Sequence, residues 1–512
     1  MTALHERLRA LSPQRLLGIR RGIEKESLRA LPGGGLALTP HPQALGSALT
    51  HPQITTDYSE SQLELITGVH ADAQACLAEL TQTHQAVYRA LGELPTDEML
   101  WVGSMPCGLP TDETIPLGRY GASNVGRAKS VYRMGLGHRY GRRMQMISGI
   151  HYNWSMPGLG NDEHFALIRN FRRHAFVLLT LFGASPAVCG DFVAGREHEL
   201  QPLPGVKSGT LHMPYGTSLR MGRLGYQSDA QATLAVSYNS LERYANSLFG
   251  ALTTPYPAYQ QLGILNPGGD YNQLATTLLQ IENEFYGLIR PKRVIFSGER
   301  PLHALRERGV EYIEVRCLDL DPFEPVGIAE ATTRFIDVFL LHCLLADSPP
   351  DTPEEIAALG RNQHRTAARG REPGLRLERG AEEVLLIDWA AELINECAPI
   401  AAAMDAAHGG DLYAQALAQA TLSLANLDTL PSARVLQTMR AEFEGSYPRF
   451  IRQRSAQTRA QILALPWTDA QAGRYARAAE ASRAEQCRIE AADSMLFEQY
   501  RQAYLSPDRL RA

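Results

Sequence analysis

The 512-residue sequence predicts an α+β fold. Three observations carry the prediction. Four short stretches alternate polar and apolar residues with the period of a strand, and several longer ones repeat apolar residues at helical spacing. Beyond residue 380 the chain is rich in Ala, Leu, Arg and Glu, which favour helix. A chain of this length exceeds what one core usually supports, so two or three structural units are expected.

The first strand, Gly22-Ile-Glu-Lys-Glu-Ser27, places Glu24 and Glu26 on one side, and Lys25 interrupts the apolar pattern on the other. Asp57 to Ile66 sets Glu60, Gln62 and Glu64 against Leu63 and Leu65. Gln145 to Met156 groups Gln145, Ile147, Gly149, His151, Asn153 and Ser155 against Met146, Ile150, Tyr152, Trp154 and Met156. Tyr312 to Leu318 groups Tyr312, Glu314 and Arg316 against Ile313, Val315 and Cys317. Helices are expected over Ala71 to Leu91, Asp162 to Phe182, Gln231 to Leu252 and Ile328 to Leu345. Gly- and Pro-rich pieces such as Leu31-Pro-Gly-Gly-Gly35, Gly103 to Gly108 and Asn266 to Asp270 read as turns. Residues 1–347 thus form an α+β catalytic region, the polar stretch 348–380 a connector loop, and 381–512 a helical region packed on the catalytic part.

A solvated second face accounts for any one of these strands alone. Taken together they hold Glu24, Glu26, Glu60, Glu64 and Glu314 with one His and one Arg, where a wet face would mix in Lys and Thr. If the strands are neighbours, carboxylates about 4 Å apart repel by roughly 4 kcal/mol at an effective dielectric of about 20, so the face must take up protons or bind cations. Oxygen ligands with one imidazole suit Mg²⁺ or Mn²⁺ better than zinc.

A formal net charge of −5 with interspersed signs gives no footprint for nucleic acid. Cys76, Cys107, Cys189, Cys317, Cys343, Cys397 and Cys487 are odd in number, scattered and never spaced as CxxC, which argues against a disulfide framework and a structural zinc site and fits a reducing cytoplasm. The first ten residues lack the apolar stretch of a signal peptide, and no apolar run is long enough to span a bilayer. A cytoplasmic protein without membrane contact is expected, with a monomer favoured.

Gly121-Ala-Ser-Asn-Val-Gly126 has the glycine spacing of a phosphate loop, but Arg127 and Ala128 stand where that motif needs Lys and Ser or Thr. The segment Gly118 to Arg133 offers backbone donors and cations to an anion, and composition reads equally as a solvated basic loop. His151 is either a hydrogen-bonded core residue or a ligand. Arg316 is either a structural ion-pair partner or a phosphate partner. Periodicity does not decide whether Tyr132, Tyr226 and Tyr286 are core or pocket. No Gly-x-Ser-x-Gly elbow or nucleophilic Cys context is present, so covalent catalysis by the protein is not expected.

Longer motifs resemble a known family, the proteobacterial type of glutamate–cysteine ligase. The resemblance runs through Arg21-Gly-Ile-Glu-Lys-Glu-Ser-Leu-Arg29, Asp57 to Thr67, Gly118-Arg-Tyr-Gly-Ala-Ser-Asn124, Arg139-Tyr-Gly141, Ser148 to Pro157, Thr217 to Met221, Leu224-Gly-Tyr226, Ile281 to Tyr286 and Gly309 to Arg316. It implies a glutamine-synthetase-like antiparallel sheet that presents one face to ATP, L-glutamate and several Mg²⁺ ions. By that resemblance Glu24, Glu26, Asp57, Glu64, His151 and Glu314 are metal ligands, with Glu24, Glu314 and Arg316 closest to the chemistry. Arg316 and Arg133 would meet the nucleotide. Arg220, Ile147 and Gly149 would hold glutamate, and Tyr58, Tyr132, Leu136, Gln145, Tyr226 and Tyr286 would shape the pocket for L-cysteine. The implied reaction is ATP-dependent ligation through a γ-glutamyl phosphate, the first step of glutathione biosynthesis. A ligase joining glutamate to another amine, and a nucleotide-binding regulator without catalysis, are the alternatives.

Overall fold

The computed structural model describes residues 3–203, 209–225, 229–232, 234–296 and 298–511. Its strands are β1 (Arg20–Ala30), β2 (Ile54–Thr56), β3 (Gln62–Ile66), β4 (Met99–Leu100), β5 (Ile150–Ser155), β6 (Ala187–Cys189), β7 (Gln201–Pro202), β8 (Thr210–His212), β9 (Ile289–Lys292), β10 (Tyr312–Leu318), β11 (Arg376–Arg379) and β12 (Glu382–Leu385). The central sheet is seven-stranded, in the order β2-β3-β1-β5-β10-β9, with β4 paired to the end of β1. Every pairing in it is antiparallel. A small sheet of β6, β8 and β7 and a β11–β12 hairpin lie apart from it.

Register brings the polar residues together. Glu24 pairs with His151 across β1 and β5, Glu26 with Glu64 across β1 and β3, and Glu314 with Asn153 across β10 and β5. Since alternate side chains of paired strands share a face, these residues line one side of the sheet. The β5–β10 register shifts between Val315 and Leu318, a local irregularity at Arg316, whose guanidinium still lies 3.0 Å from Glu314. The opposite face holds Ile23, Tyr152, Trp154, Ile313 and Val315, all buried. Helix Glu330–Leu345 packs behind it, and the Phe339 ring meets Phe171 of helix Asn161–His174 edge to face at 5.9 Å. There Asp337 takes a hydrogen bond from the Tyr152 hydroxyl (2.8 Å) and pairs with Arg21 of β1 (2.9 Å).

Several expected bounds move. β1 is eleven residues long, so Lys25 does not weaken it. Its buried ammonium finds Ser27 Oγ at 2.8 Å and His84 Nε2 at 2.9 Å behind the sheet. Residues 57–61 form the connection between β2 and β3, and the Glu60 carboxylate leaves the acidic face to accept from the backbone N–H groups of His41 and Arg119. The third expected strand begins only at Ile150, because Met144–Met146 closes a 3-10 turn, so Gln145, Ile147 and Gly149 do not alternate along it. Helix Asn161–His174 stops before Ala175 and a second helix runs Phe176–Phe182. Of Gln231 to Leu252, the long helix starts at Leu241, where Ser240 caps it.

The connector expected over 348–380 is not a loop. Pro353–Arg369 is a helix, with the Thr352 side chain accepting from Glu355 N–H, Pro at its first position and Glu354 and Glu355 in its first turn, and β11 follows. Composition hid this helix because its outer face is charged. The larger cluster of buried hydrophobics runs from Leu4 to Leu510 across both regions, and a smaller one joins Ala128, Leu274 and Phe497. Cys107 and Cys189, 82 residues apart, form a disulfide, which spacing could not reveal, so the cysteine count carries no inference about compartment. Among the described residues no helix is long and apolar enough to cross a membrane.

Candidate active site

Over the polar face lies a cavity of about 470 Å³. Glu24, Asp57, Glu64, His151, Glu314 and Arg316 line its floor. Asp57 reaches it from the β2–β3 connection, where its backbone N–H bonds the Gln62 carbonyl. One wall is the helix Asn124–Tyr140, which contributes Lys129, Tyr132, Arg133 and Leu136. Ser123 caps that helix, and Gly121 before it adopts a left-handed backbone (φ 81°), so the glycine-bearing segment is a helix entry rather than a phosphate loop after a strand. Arg133 is fixed by the Asp57 carbonyl and lies over the Tyr120 ring, 4.5 Å from its centroid.

The floor is crowded with charge. His151 Nδ1 is 3.2 Å from Glu24 and 3.9 Å from Glu314, and its Nε2, buried without a hydrogen-bond partner, is 3.6 Å from Glu26. Ligand atoms of Glu24, His151 and Glu314 all lie within 4.8 Å of one another. Lys292 (3.3 Å), Arg316 (3.0 Å) and Arg290 (4.0 Å) surround Glu314. Burial pushes the Glu314 carboxyl up, but Lys292, Arg316 and His151 hold it well below the usual range. Glu24 is likewise held down against burial by its hydrogen bond to His151. Burial and the neighbouring acids push Glu64 well above the carboxylate range, and burial with Asp57 raises Glu26 to about 8. Burial and Arg316 push the His151 imidazole below its ordinary value, against the pull of Glu24 and Glu314. The site therefore sets acids that bases hold down beside acids whose proton affinity burial and neighbouring carboxylates raise.

A family model for glutamate–cysteine ligase matches residues 6–366. The chain belongs to the glutamate–cysteine ligase family. A glutamate–cysteine ligase of Alcanivorax borkumensis is 46% identical over 97% of this chain and 97% of its own. One of Pseudomonas putida is 49% identical over 84% of this chain and 83% of its own. The crystal structure of a Francisella tularensis glutamate–cysteine ligase in complex with AMP matches with a TM-score of 0.89 at 35% identity, covering 95% of this chain and 97% of that one. A bifunctional glutathione synthetase from Pasteurella multocida matches with a TM-score of 0.67 at 26% identity over 90% of this chain, which spans 54% of that protein.

Of the residues singled out by family resemblance, Tyr58, Tyr132, Leu136, Gln145 and Tyr286 line the cavity together with the acids and His151 of its floor. Glu26, Ile147, Gly149 and Arg220 are buried just behind it instead. Gly149 N–H donates to Glu26 at 2.7 Å, and a Cβ on Gly149 would fall 2.2 Å from the Arg220 guanidinium carbon, so only glycine fits there. Tyr226 lies outside the described residues. Family reasoning missed Lys129, Arg290, Lys292, Glu282 and Asn283, and above all Tyr500 and Tyr504, which close the cavity from the last helix, Phe497–Leu505. The motif Ile281 to Tyr286 pointed at two of these. Nothing local marks Tyr500 or Tyr504, because their place depends on a contact more than 180 residues away in sequence: Arg300 lies 4.8 Å over the Tyr504 ring.

Proposed function

We propose that this cavity is where the chain, an ATP-dependent glutamate–cysteine ligase that forms γ-glutamylcysteine in the first step of glutathione synthesis, activates the γ-carboxylate of L-glutamate and passes it to the amine of L-cysteine. The observation that carries the reading is the convergence of Glu24, Glu64, His151, Glu314 and Arg316 from separate strands on one cavity.

A carboxylate does not acylate an amine in neutral water, because the oxygen to be expelled leaves poorly. In the first half-reaction an oxygen of the γ-carboxylate attacks the terminal phosphorus of ATP, and the bond to ADP breaks. In the second the amine attacks the acyl carbon and the bond to phosphate breaks, leaving an amide. The first approach sets anion against anion. Arg316, Lys292, Arg133 and Lys129 place fixed positive charge around the cavity, so the transferred group gains counter-charge without reorganisation. Their hydrogen bonds and ring contacts hold them in place before substrate arrives.

Glu24, Glu26, Asp57, Glu64, His151 and Glu314 would hold Mg²⁺ or Mn²⁺. The donor set fits: hard carboxylate oxygens gathered round one imidazole whose Nε2 is buried without a hydrogen-bond partner, and acids whose proton affinity burial and neighbouring carboxylates raise. Such ions, when bound, would supply positive charge to offset the charge developing on the transferred group. Tyr58, Tyr132, Leu136, Gln145 and Tyr286 would receive cysteine. Gln145 donates to the Tyr286 hydroxyl at 3.0 Å, and the Tyr58 hydroxyl is buried without a hydrogen-bond partner. A thiol makes weak hydrogen bonds, so this end selects mainly by shape.

The test is ADP release from the purified protein with ATP, Mg²⁺ and glutamate, adding cysteine or ammonia separately. Cysteine should drive turnover far better than ammonia, and Glu24→Gln and Glu314→Gln should abolish it while leaving the fold intact. Equal rates with the two amines, or near-normal turnover by both variants, overturns the proposal.

A further inference from the structure

On the far side of the sheet the ends of three helices meet. His174 closes helix Asn161–His174, His342 and Cys343 sit in the last turn of helix Glu330–Leu345, and Glu396 closes helix Leu386–Glu396. We propose that His174, His342 and Cys343 form a zinc site there, separate from the carboxylates of the cavity, with Glu396 orienting one of its ligands.

Donor atoms of the three residues lie within 4.8 Å of one another. Zn²⁺ bonds nitrogen at about 2.0–2.1 Å and sulfur at about 2.3 Å, so a tetrahedral ion holds such donors about 3.5 Å apart, within reach of small side-chain rotations. The hydrogen bonds argue more strongly. Two other buried helical histidines spend Nδ1 on the carbonyl one turn back: His84 on Leu80 at 2.8 Å and His164 on Gly160 at 2.8 Å. His174 and His342 do not, and the Nδ1 atoms of both are buried without a hydrogen-bond partner. The His342 side chain is wholly buried and its Nε2 is 2.7 Å from Glu396. A carboxylate accepts only, so in the neutral ring Nε2 carries the hydrogen and the buried Nδ1 presents a lone pair that no donor meets, an expensive arrangement for a core imidazole and the standard one for a zinc ligand.

Two imidazole nitrogens and one sulfur suit zinc as the carboxylates of the cavity suit magnesium. Binding forms a zinc–sulfur bond as the Cys343 thiol gives its proton to solvent, and no electron changes hands. The ion would tie together the two helices that back the sheet, with Glu396 of the helical region beyond residue 380 bonded to one of its ligands.

The test uses the full chain in a Cys487→Ser background, which removes the exposed thiol. The protein is stripped with chelator, kept in excess Mg²⁺ to occupy the cavity, and titrated with Zn²⁺. X-ray absorption of the zinc-loaded protein should show at least one sulfur and two imidazole nitrogens, a readout that needs no variant of the site. Glu396 is half exposed, so Glu396→Gln leaves the fold intact and should weaken zinc binding about ten- to a hundredfold. Zinc surrounded only by oxygen and nitrogen, or an affinity unchanged by Glu396→Gln, overturns the proposal.

Discussion

Replacing Asp337 by Asn removes the charge that ties β1 to the helix behind the sheet. Arg21 and Asp337 lie 2.9 Å apart with both side chains fully buried, and Tyr152 of β5 donates to the same carboxylate at 2.8 Å. Their gross attraction is about 6 kcal/mol at an effective dielectric of about 20. Much of that offsets desolvation, yet breaking such a pair costs about 3–5 kcal/mol, because the surviving guanidinium stays buried and uncompensated. Asn still accepts from Tyr152, so the lower figure, about 3 kcal/mol, is expected. With an unfolding entropy of about 2.1 cal/mol/K per residue, this lowers the thermal midpoint of a chain this long by about 3 °C. Urea unfolding followed by tryptophan fluorescence, with calorimetry alongside, measures both quantities. The double variant Arg21→Met, Asp337→Leu should recover most of the loss, since apolar side chains of similar volume tolerate the same site. A single-variant loss below about 1 kcal/mol, or a double variant less stable than the single, refutes the reasoning.

Lys292→Met takes from Glu314 a partner 3.3 Å away and from the cavity a positive charge, so initial-rate kinetics should show about a tenfold fall in kcat/KM for ATP, while urea unfolding moves by less than about 1 kcal/mol. Gly149→Ala drives a methyl group into the Arg220 guanidinium, an overpacking cost of about 1–3 kcal/mol, and KM for glutamate should rise at least tenfold in the same assay. Burial raises the Asp321 carboxyl to about 6 from its ordinary 3.8. A folded pKa above the unfolded one means that the wild type gains stability as pH falls from above 6 towards 4, so Asp321→Asn should be the more stable form at pH 8 by about 1–2 kcal/mol, and that margin should vanish by pH 4 in parallel urea melts.

The strands that carry chemistry were legible because their period is two and their polar faces are uniform: Tyr312 to Leu318 is β10 to the residue, and His151 and Asn153 share a face as alternation requires. Family resemblance then added Asp57, which is not on a strand. Alternation failed where the chain turns. Glu60 shares the parity of Glu64 but serves backbone N–H groups, and Gln145 reaches the cavity from a 3-10 turn. Helix Pro353–Arg369 was hidden by the very charges that solvate its outer face, among them Arg361 and Arg365 paired with Glu378. Lys292, Tyr500 and Tyr504 were invisible for another reason: each owes its position to tertiary packing, and no local spacing encodes that.

The placement of Tyr500 and Tyr504 gives the molecule a late completion point. The wall they form hangs from residues 491–496, an exposed stretch held to the helix entry at Asn124 by a bond from its side chain to the Met495 carbonyl (3.0 Å). The residues of the central sheet, with Glu24, Glu64 and Glu314 in register, are all synthesised before this wall. One proteolytic cut in that stretch would leave the wall held by its side-chain contacts alone, among them Tyr271 to Glu498 and Arg300 over the Tyr504 ring.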